Sequence, residues 1–543
     1  MLRTTRSTST KACATAIRPV AVSLVACLIL TGVPALASAQ YVFVPSPPPC
    51  GDGIGLATPR ADSQPAARSV ALITFEVPAG NAADQYLADA LPDALGGRLS
   101  RGGLDVLNRG VVRVVRPRER REIVRAGGTL GVRWIVTGSL TGSADRRVIT
   151  ISLLDASFGT EVWSAEWAAS TTLADVESAS ALAIVSRIRP TVDAATRSAV
   201  AAPRTSNPAA FDALLRGIDH ALDGAPVDLS RAIDDFAESG RLDPDFALPR
   251  ARSALAASDM LDYARRVDPD AATRLEARAR TEANAAVALD STLAIGWLAV
   301  GDVASHRADG RRDADRAFAR ALHLDPASPL VHERRGLALM RMGDRAAGEA
   351  ELRRAASLAP GRARARIELA ELAARAGRTD SACALLNAAI AAEPYVAWAY
   401  VLRADVRARM GELRHAWSDA EIAERLGAAT LGKAVSALVD AAARDTARAR
   451  DRANALYRDV TSGSSISARE GRYVARVLLA LGRRDDAMDV LERVRPVGPA
   501  LAATLGDPAF ISLHSSPRFR QLQRAAHTTA TRGSAAAAAG GRP

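Results

Sequence analysis

The period of the apolar positions changes once along the chain and divides it in two. Between residues 68 and 200, short apolar runs alternate with helical spacing. Val70-Ala71-Leu72-Ile73-Thr74-Phe75 has the length and continuity of a buried strand. From Asp84 to Leu99, the positions Tyr86, Leu87, Ala90, Leu91 and Leu95 fall on one helical face. Leu104-Asp105-Val106-Leu107 reads as a strand and Arg116 to Arg125 as a charged helix. Trp134 to Ser139, Arg147 to Leu154 and Glu161 to Ser164 read as a three-strand meander, with Asp155-Ala156-Ser157-Phe158-Gly159 as the second turn. A helix from about Leu173 to Ile188 closes the unit. The order β-α-β-α-β-β-β-α implies a mixed sheet covered by helices.

Beyond Ala201-Ala202-Pro203 the strand patterns stop and a period of 34 residues takes over. Pro326, Pro360 and Pro394 keep that spacing, as do Gly343, Gly377 and Gly411. Small residues recur in step: Gly336, Ala370 and Ala404; Gly348, Ala382 and Ala416; Ala355, Ala389 and Ala423. These are assigned to the seams where two helices approach too closely for a larger side chain. Phe318, Leu352 and Leu386 fill the larger hole in each second helix. Four residue classes holding phase resemble the tetratricopeptide repeat (TPR), a helical hairpin. The pattern gives about six or seven hairpins between Pro208 and Pro496, with distorted spacing near 250–290 and 427–465.

The fold class expected is therefore α/β plus all-α: a small mixed-sheet domain followed by a TPR-type α-solenoid. A second resemblance rests on three blocks of the first part. Leu130 to Ser139, Ile151 to Ala156 and Gly159 to Glu166, in that order, are similar to the TolB-like amino-terminal domain, and Val70 to Phe75 is similar to its first strand. This resemblance implies a docking or assembly domain over residues 68–200, without catalytic residues.

The ends read as targeting, linker and cap. Residues 1–39 carry Arg3, Arg6, Lys11 and Arg18, then the apolar run Val20 to Leu30, then Ala37-Ser38-Ala39, the small-x-small pattern of a cleaved export signal. Two alternatives stay open: acylation at Cys27 in a lipoprotein box, or an uncleaved membrane anchor. Each of the three places the bulk of the chain in the envelope, the periplasm or outside the cell. Residues 40–67 read as a Pro/Gly/Ala-rich linker, 68–200 as the α/β domain and 201–497 as the array. Residues 498–524, with Asp507-Pro508-Ala509-Phe510 and Ser516 to Leu522, read as a cap, and 525–543 as a disordered tail.

Charge and candidate chemistry change this picture little. The chain of 543 residues carries +11, but residues 1–39 hold four of its 71 bases and no acid, leaving 67 bases against 60 acids. The bases are almost all arginine and are interleaved with acids, so nucleic acid is not an expected partner. Seven histidines show no HExxH spacing, and no G-x-S-x-G elbow occurs. No catalytic, metal or cofactor site is expected. Gly51 to Gly55 lacks a flanking strand and helix, Asp155 reads as a turn cap, and Cys50 and Cys383 read as unpaired thiols.

Protein partners are expected instead, on the face of each first helix that lines the superhelix. Spacings of three and four select Leu330, Glu333, Leu337 and Met340; then Arg364, Ile367, Glu371 and Ala374; then Trp398, Val401, Asp405 and Ala408. Of these, Glu333, Leu337, Arg364, Glu371, Trp398 and Asp405 are the candidate partner-binding residues. The Lys and Asn set that clamps a peptide carboxylate in some relatives of the TPR family is absent.

Overall fold

Strand β1 (Ser69–Leu72) is buried along its whole length, and that requires cover on both faces of its sheet. In the computed structural model, which describes residues 67–78, 82–107, 120–142, 146–222, 224–359, 362–463, 466–495 and 499–526, helices supply that cover. The elements run β1, α1 (Gln85–Arg101), β2 (Asp105–Leu107), α2 (Arg120–Leu130), β3 (Trp134–Thr141), β4 (Val148–Asp155), β5 (Thr160–Ala168), α3 (Leu173–Ile188) and α4 (Ala194–Ala201). The sheet order is β2-β1-β3-β4-β5; β1 is parallel to both neighbours, and β3, β4 and β5 form the antiparallel meander.

Val70 and Leu72 join the core under α1 and α3, while Ala71 and Ile73 join Ile123, Ala126 and Leu130 of α2 on the opposite face. That alternation explains why β1 reads as one unbroken apolar run. Helix α2 continues past Arg125 to Leu130 because Ile123, Ala126 and Leu130 keep one buried stripe; residues 108–119 lie outside the described residues. Asp155 accepts from the Ser157 backbone N–H at 2.9 Å, a turn-forming contact.

Eight helical hairpins follow among the described residues, two or one more than the period alone counts. They are α5 (Pro208–His220) with α6 (Pro226–Leu242), α7 (Ala247–Val267) with α8 (Pro269–Leu289), and α9 (Ala294–Ala304) with α10 (Arg311–Leu324). Next come α11 (Pro329–Arg341) with α12 (Arg345–Leu358), α13 (Arg364–Arg375) with α14 (Thr379–Ala392), and α15 (Ala397–Arg409) with α16 (Leu413–Arg425). The last are α17 (Ala429–Ala442) with α18 (Thr446–Ser462) and α19 (Ala468–Ala480) with α20 (Arg484–Leu491). Both helices of the α7–α8 hairpin are 21 residues long, which breaks the 34-residue phase there.

The α17–α18 hairpin escaped the pattern for a backbone reason. The turns inside its neighbours carry Gly343, Gly377, Gly411 and Gly482 at φ between 74° and 85°, whereas Arg444 takes φ 63°. A side chain in this left-handed region is strained, so the glycine signal is lost while the geometry is kept.

All nine seam residues, from Gly336 to Ala423, are buried. A Cβ on Gly336 would come within 2.9 Å of Leu352, and one on Gly348 within 2.9 Å of the Gly336 carbonyl oxygen. Phe318, Leu352 and Leu386 fill the facing holes at 0–1% exposure. The TPR assignment rests on this spacing and packing.

The two parts share one core. A single cluster of buried residues runs from Val70 through Phe211, Leu214 and Phe236 to Ala338. At the change of period, Arg98 of α1 donates to the Val200 and Ala202 carbonyls at 2.7 and 2.6 Å and to Glu177 of α3 at 2.7 Å. Arg98 and Glu177 are both sealed from solvent, and removing one partner of such a pair costs about 3–5 kcal/mol. The boundary at 201–203 is thus a change of periodicity without a gap in packing.

At the far end, α21 (Pro499–Leu505) and a 3-10 turn (Pro508–Leu513) pack beside α19, and a helix over 517–526 holds Asp489 of α20 through Arg518 at 2.8 Å. Phe510 and Phe519 meet edge to face at 6.5 Å, and both are fully buried. Residues 1–66 and 527–543, on which the expected export signal, nearly all of the expected linker and most of the expected tail fall, lie outside the described residues.

The left-handed turn yields a prediction. Arg444→Gly should raise stability by up to about 1 kcal/mol, the relieved strain being offset in part by the entropy glycine adds to the unfolded chain. Thermal unfolding checks it; an unchanged or lower midpoint would show that Arg444 makes contacts worth more than the strain.

Candidate functional site

The first helix of each hairpin turns one face toward the inside of the stack, and a carboxylate recurs on that face. Inside a protein each must find a cation or lose its charge. Here arginines of the same helix, of a neighbouring inner helix or of the loop before one supply it. Asp302 of α9, 1% exposed, accepts from Arg341 at 2.6 Å and Arg334 at 3.2 Å, both on α11; Arg334 also holds Asp259 of α7 at 2.5 and 2.7 Å. Glu333 of α11 accepts from Arg362 at 2.9 Å. Glu371 of α13 takes Arg375 at 2.6 Å and Arg472 at 3.1 Å. Asp405 of α15 takes Arg409 at 2.6 Å, Arg476 at 2.7 Å and the Tyr473 hydroxyl at 3.4 Å.

The last two clusters reach far along the chain. Arg472, Tyr473 and Arg476 all lie on α19, whose inner face spans from α13 to α15. Tyr473 meets Trp398 edge to face at 5.9 Å, and the Arg469 guanidinium lies 4.5 Å from the centre of the Trp398 ring, a cation–π contact. What remains between these helices is a cavity of about 220 Å³ walled by Glu371, Asp405, Arg472, Tyr473, Arg476 and Asp507.

Electrostatics follow from this pairing. Burial alone would raise the Asp405 carboxyl, but Arg476 and Arg409 outweigh it and hold its pKa at about 2. Asp302 behaves alike: burial opposes ionisation, and Arg341 and Arg334 hold it well below the usual carboxylate range. Burial and Arg341 push His306 below its ordinary value, so it is neutral at pH 7. Burial lifts the Tyr473 phenol to about 12. These charges neutralise one another. Among the described residues no group of three or more His, Cys, Asp or Glu could hold a metal ion, and no helix is long and apolar enough to cross a membrane.

The six candidate partner-binding residues separate into two sets. Arg364 is exposed, and Leu337 and Trp398 are half-buried. Glu333, Glu371 and Asp405 are 1%, 7% and 3% exposed and paired with arginine, so their carboxylates bond within the array. Ile367 and Val401, chosen by the same spacing, are core residues. Missing from the candidates were the arginines of α19, although Arg469, Arg472 and Arg476 show the three-and-four spacing of one helical face. Cys383 is also corrected: it is buried and disulfide-bonded, and the other cysteines lie outside the described residues.

No family model matches the chain, and no curated protein matches it. Solved TPR structures do resemble it at low identity. A Pseudomonas aeruginosa protein described as pilF is 17% identical over 43% of this chain and 97% of its own, with a TM-score of 0.30. A thermophilic TPR protein of Thermus thermophilus is 21% identical over 36% and 98%, with a TM-score of 0.31. The APC/C hetero-tetramer Cut9–Hcn1 gives 13% over 65% and 62%, with a TM-score of 0.40.

The lowered Asp405 pKa gives a pH dependence with a definite sign. A folded value of about 2 against an ordinary 3.8 contributes stability that is complete above the unfolded pKa and is lost as pH falls toward 2. Asp405→Asn should cost about 2–4 kcal/mol at pH 7, and the gap to the unaltered chain should narrow as pH drops below 4. Denaturant midpoints across that range check it; a gap that does not change with pH would mean that packing, not charge, is what the variant removes.

Proposed function

We propose that the chain is an exported scaffold that holds other proteins on its hairpin array. The observation that carries this is the architecture: eight successive hairpins, the first of them sharing one core with the sheet, with the inner carboxylates paired to arginines of the same chain. Such arrays present surface for partners along their length. Protein is favoured over nucleic acid because so many of the arginines are matched by a carboxylate of the same chain.

Two finer parts belong to the same proposal. Residues 68–200 act as a TolB-like docking domain; in support, the three blocks that carry that resemblance span β3, β4 and β5 with their turns. Export follows from Ala37-Ser38-Ala39 behind the apolar run, and the disulfide at Cys383 fits an oxidising compartment. An acylated Cys27 or an uncleaved amino terminus would make it a membrane-tethered envelope protein with the same array.

Two measurements test this. The mature amino terminus should begin at Gln40; an acylated Cys27 or an intact Met1 would replace cleavage by one of the tethered forms. Affinity capture from envelope extract should retain a defined set of proteins, and Arg364→Glu should thin that set without moving the melting temperature. A chain that retains nothing would end the scaffold proposal. Trp398→Ala, by contrast, should lower the melting temperature, since it removes the ring against which Tyr473 and Arg469 hold α19.

A further inference from the structure

One outer cleft of the array differs from its equivalents. It lies between α8 and α10, the second helices of successive hairpins, and α9 forms its floor. Trp297, Val300 and Ala317 supply the apolar base, while Arg280 on one wall and Arg316 and Arg320 on the other supply charge. Its volume is about 550 Å³, within the range of sites that take ligand side chains.

The opening has a cause that can be traced through the repeat. The close-contact positions Gly301, Gly336, Ala370 and Ala404 set the register on the first helices, and Phe318, Leu352, Leu386 and Ala420 set it on the second. One residue before these, each of the next three hairpins bridges its two helices. In the next hairpin the pair is Arg335 and Glu351, 2.8 Å apart, with His332 adding a 2.6 Å contact to Glu351. Then Leu369 and Leu385 pack together in an apolar cluster, and after them Arg403 and Asp419 meet at 2.8 Å. At α9 and α10 the same positions hold Val300 and Ala317, too short to bridge, and the surface stays open with a tryptophan in it.

The charge of the cleft is one-sided. Asp313 lines it but is held by Arg316 at 2.6 Å. Arg280 and Arg320 are exposed and make no ion pair among the described residues, unlike the arginines of the inner face. An apolar floor between two free guanidinium groups complements carboxylates flanking an apolar side chain.

We propose that this cleft docks an acidic segment of a partner protein, with an apolar side chain seated on Trp297, Val300 and Ala317 and carboxylates bound by Arg280 and Arg320. The inference rests on the scaffold reading and names one contact surface on its outer side.

The test uses the full chain and a fluorescein-labelled peptide of glutamates with leucines at helical spacing, against a control peptide with lysine in place of every glutamate. Saturable binding of the acidic peptide alone is expected, with affinity lowered at least about tenfold by Arg280→Glu combined with Arg320→Glu. Val300→Arg combined with Ala317→Glu installs the bridge that closes the next hairpin; it should abolish binding while the helical circular dichroism is unchanged. If the filled variant does not fold, the surface pair alone decides the matter. No binding to the unaltered chain, or equal binding by both variants, overturns the proposal. So does tighter binding of a polyuridylate oligonucleotide that the same variants remove, which would make the cleft a nucleic-acid site. Retention of partners by affinity capture with the cleft filled would sink the cleft and leave the scaffold standing.

Discussion

Pairing of buried carboxylates with arginine is the constraint from which the rest of this molecule follows. An ionised group taken out of water costs several kcal/mol unless a partner and further hydrogen bonds restore what hydration supplied. The inner helices bury Asp302, Glu333, Glu371 and Asp405 almost completely, and each has at least one guanidinium within hydrogen-bonding distance. Arginine suits this role because its planar fork can serve two acceptors at once, as Arg334 does for Asp259 and Asp302. The preference for arginine over lysine in this sequence therefore has structural work, whatever its origin.

This pairing also sets the geometry of the stack. Arg472 and Glu371 lie 101 residues apart, and Arg476 and Asp405 lie 71 apart, so each bond crosses more than one hairpin. Seams of small residues bring neighbouring helices together, but they act only between adjacent elements. The charged contacts act over longer separations and tie α13, α15 and α19 into one unit. The same logic operates at the other end, where Arg98 bonds the backbone at 200 and 202 and Arg252 of α7 holds Asp93 of α1 at 2.6 Å, tying the sheet domain to the array.

What could be read from the sequence follows the distinction between local and distant causes. The mixed sheet was legible because β1 is covered on both faces and β3, β4 and β5 are joined by short turns. The middle hairpins were legible because glycine, proline and small residues hold phase there. The α7–α8 hairpin was obscured by its length, and α17–α18 by an arginine in a turn that elsewhere takes glycine. Helical spacing placed Glu333, Glu371 and Asp405 on one face but did not show that they are paired, because Arg362, Arg472 and Arg476 are distant in sequence, although Arg375 and Arg409 lie one turn away. Spacing states which way a side chain points; it does not state what is already there.

That difference matters for how a repeat array binds. A polar inner face is available to a partner only where its groups are not already satisfied by the chain, since displacing a buried ion pair exposes two unpaired charges before any new contact forms. Between α13 and α19 the inner carboxylates are paired. From α9 to α16 the outer clefts obey another rule: each is closed or open according to two residues, one before the seam on each helix of a hairpin. Charge closes two of them, leucine closes one, and Val300 with Ala317 closes none. Substitution at those two positions can open or close a site without touching the seam or the core, so the repeat can vary its binding surface while its fold is held by residues elsewhere.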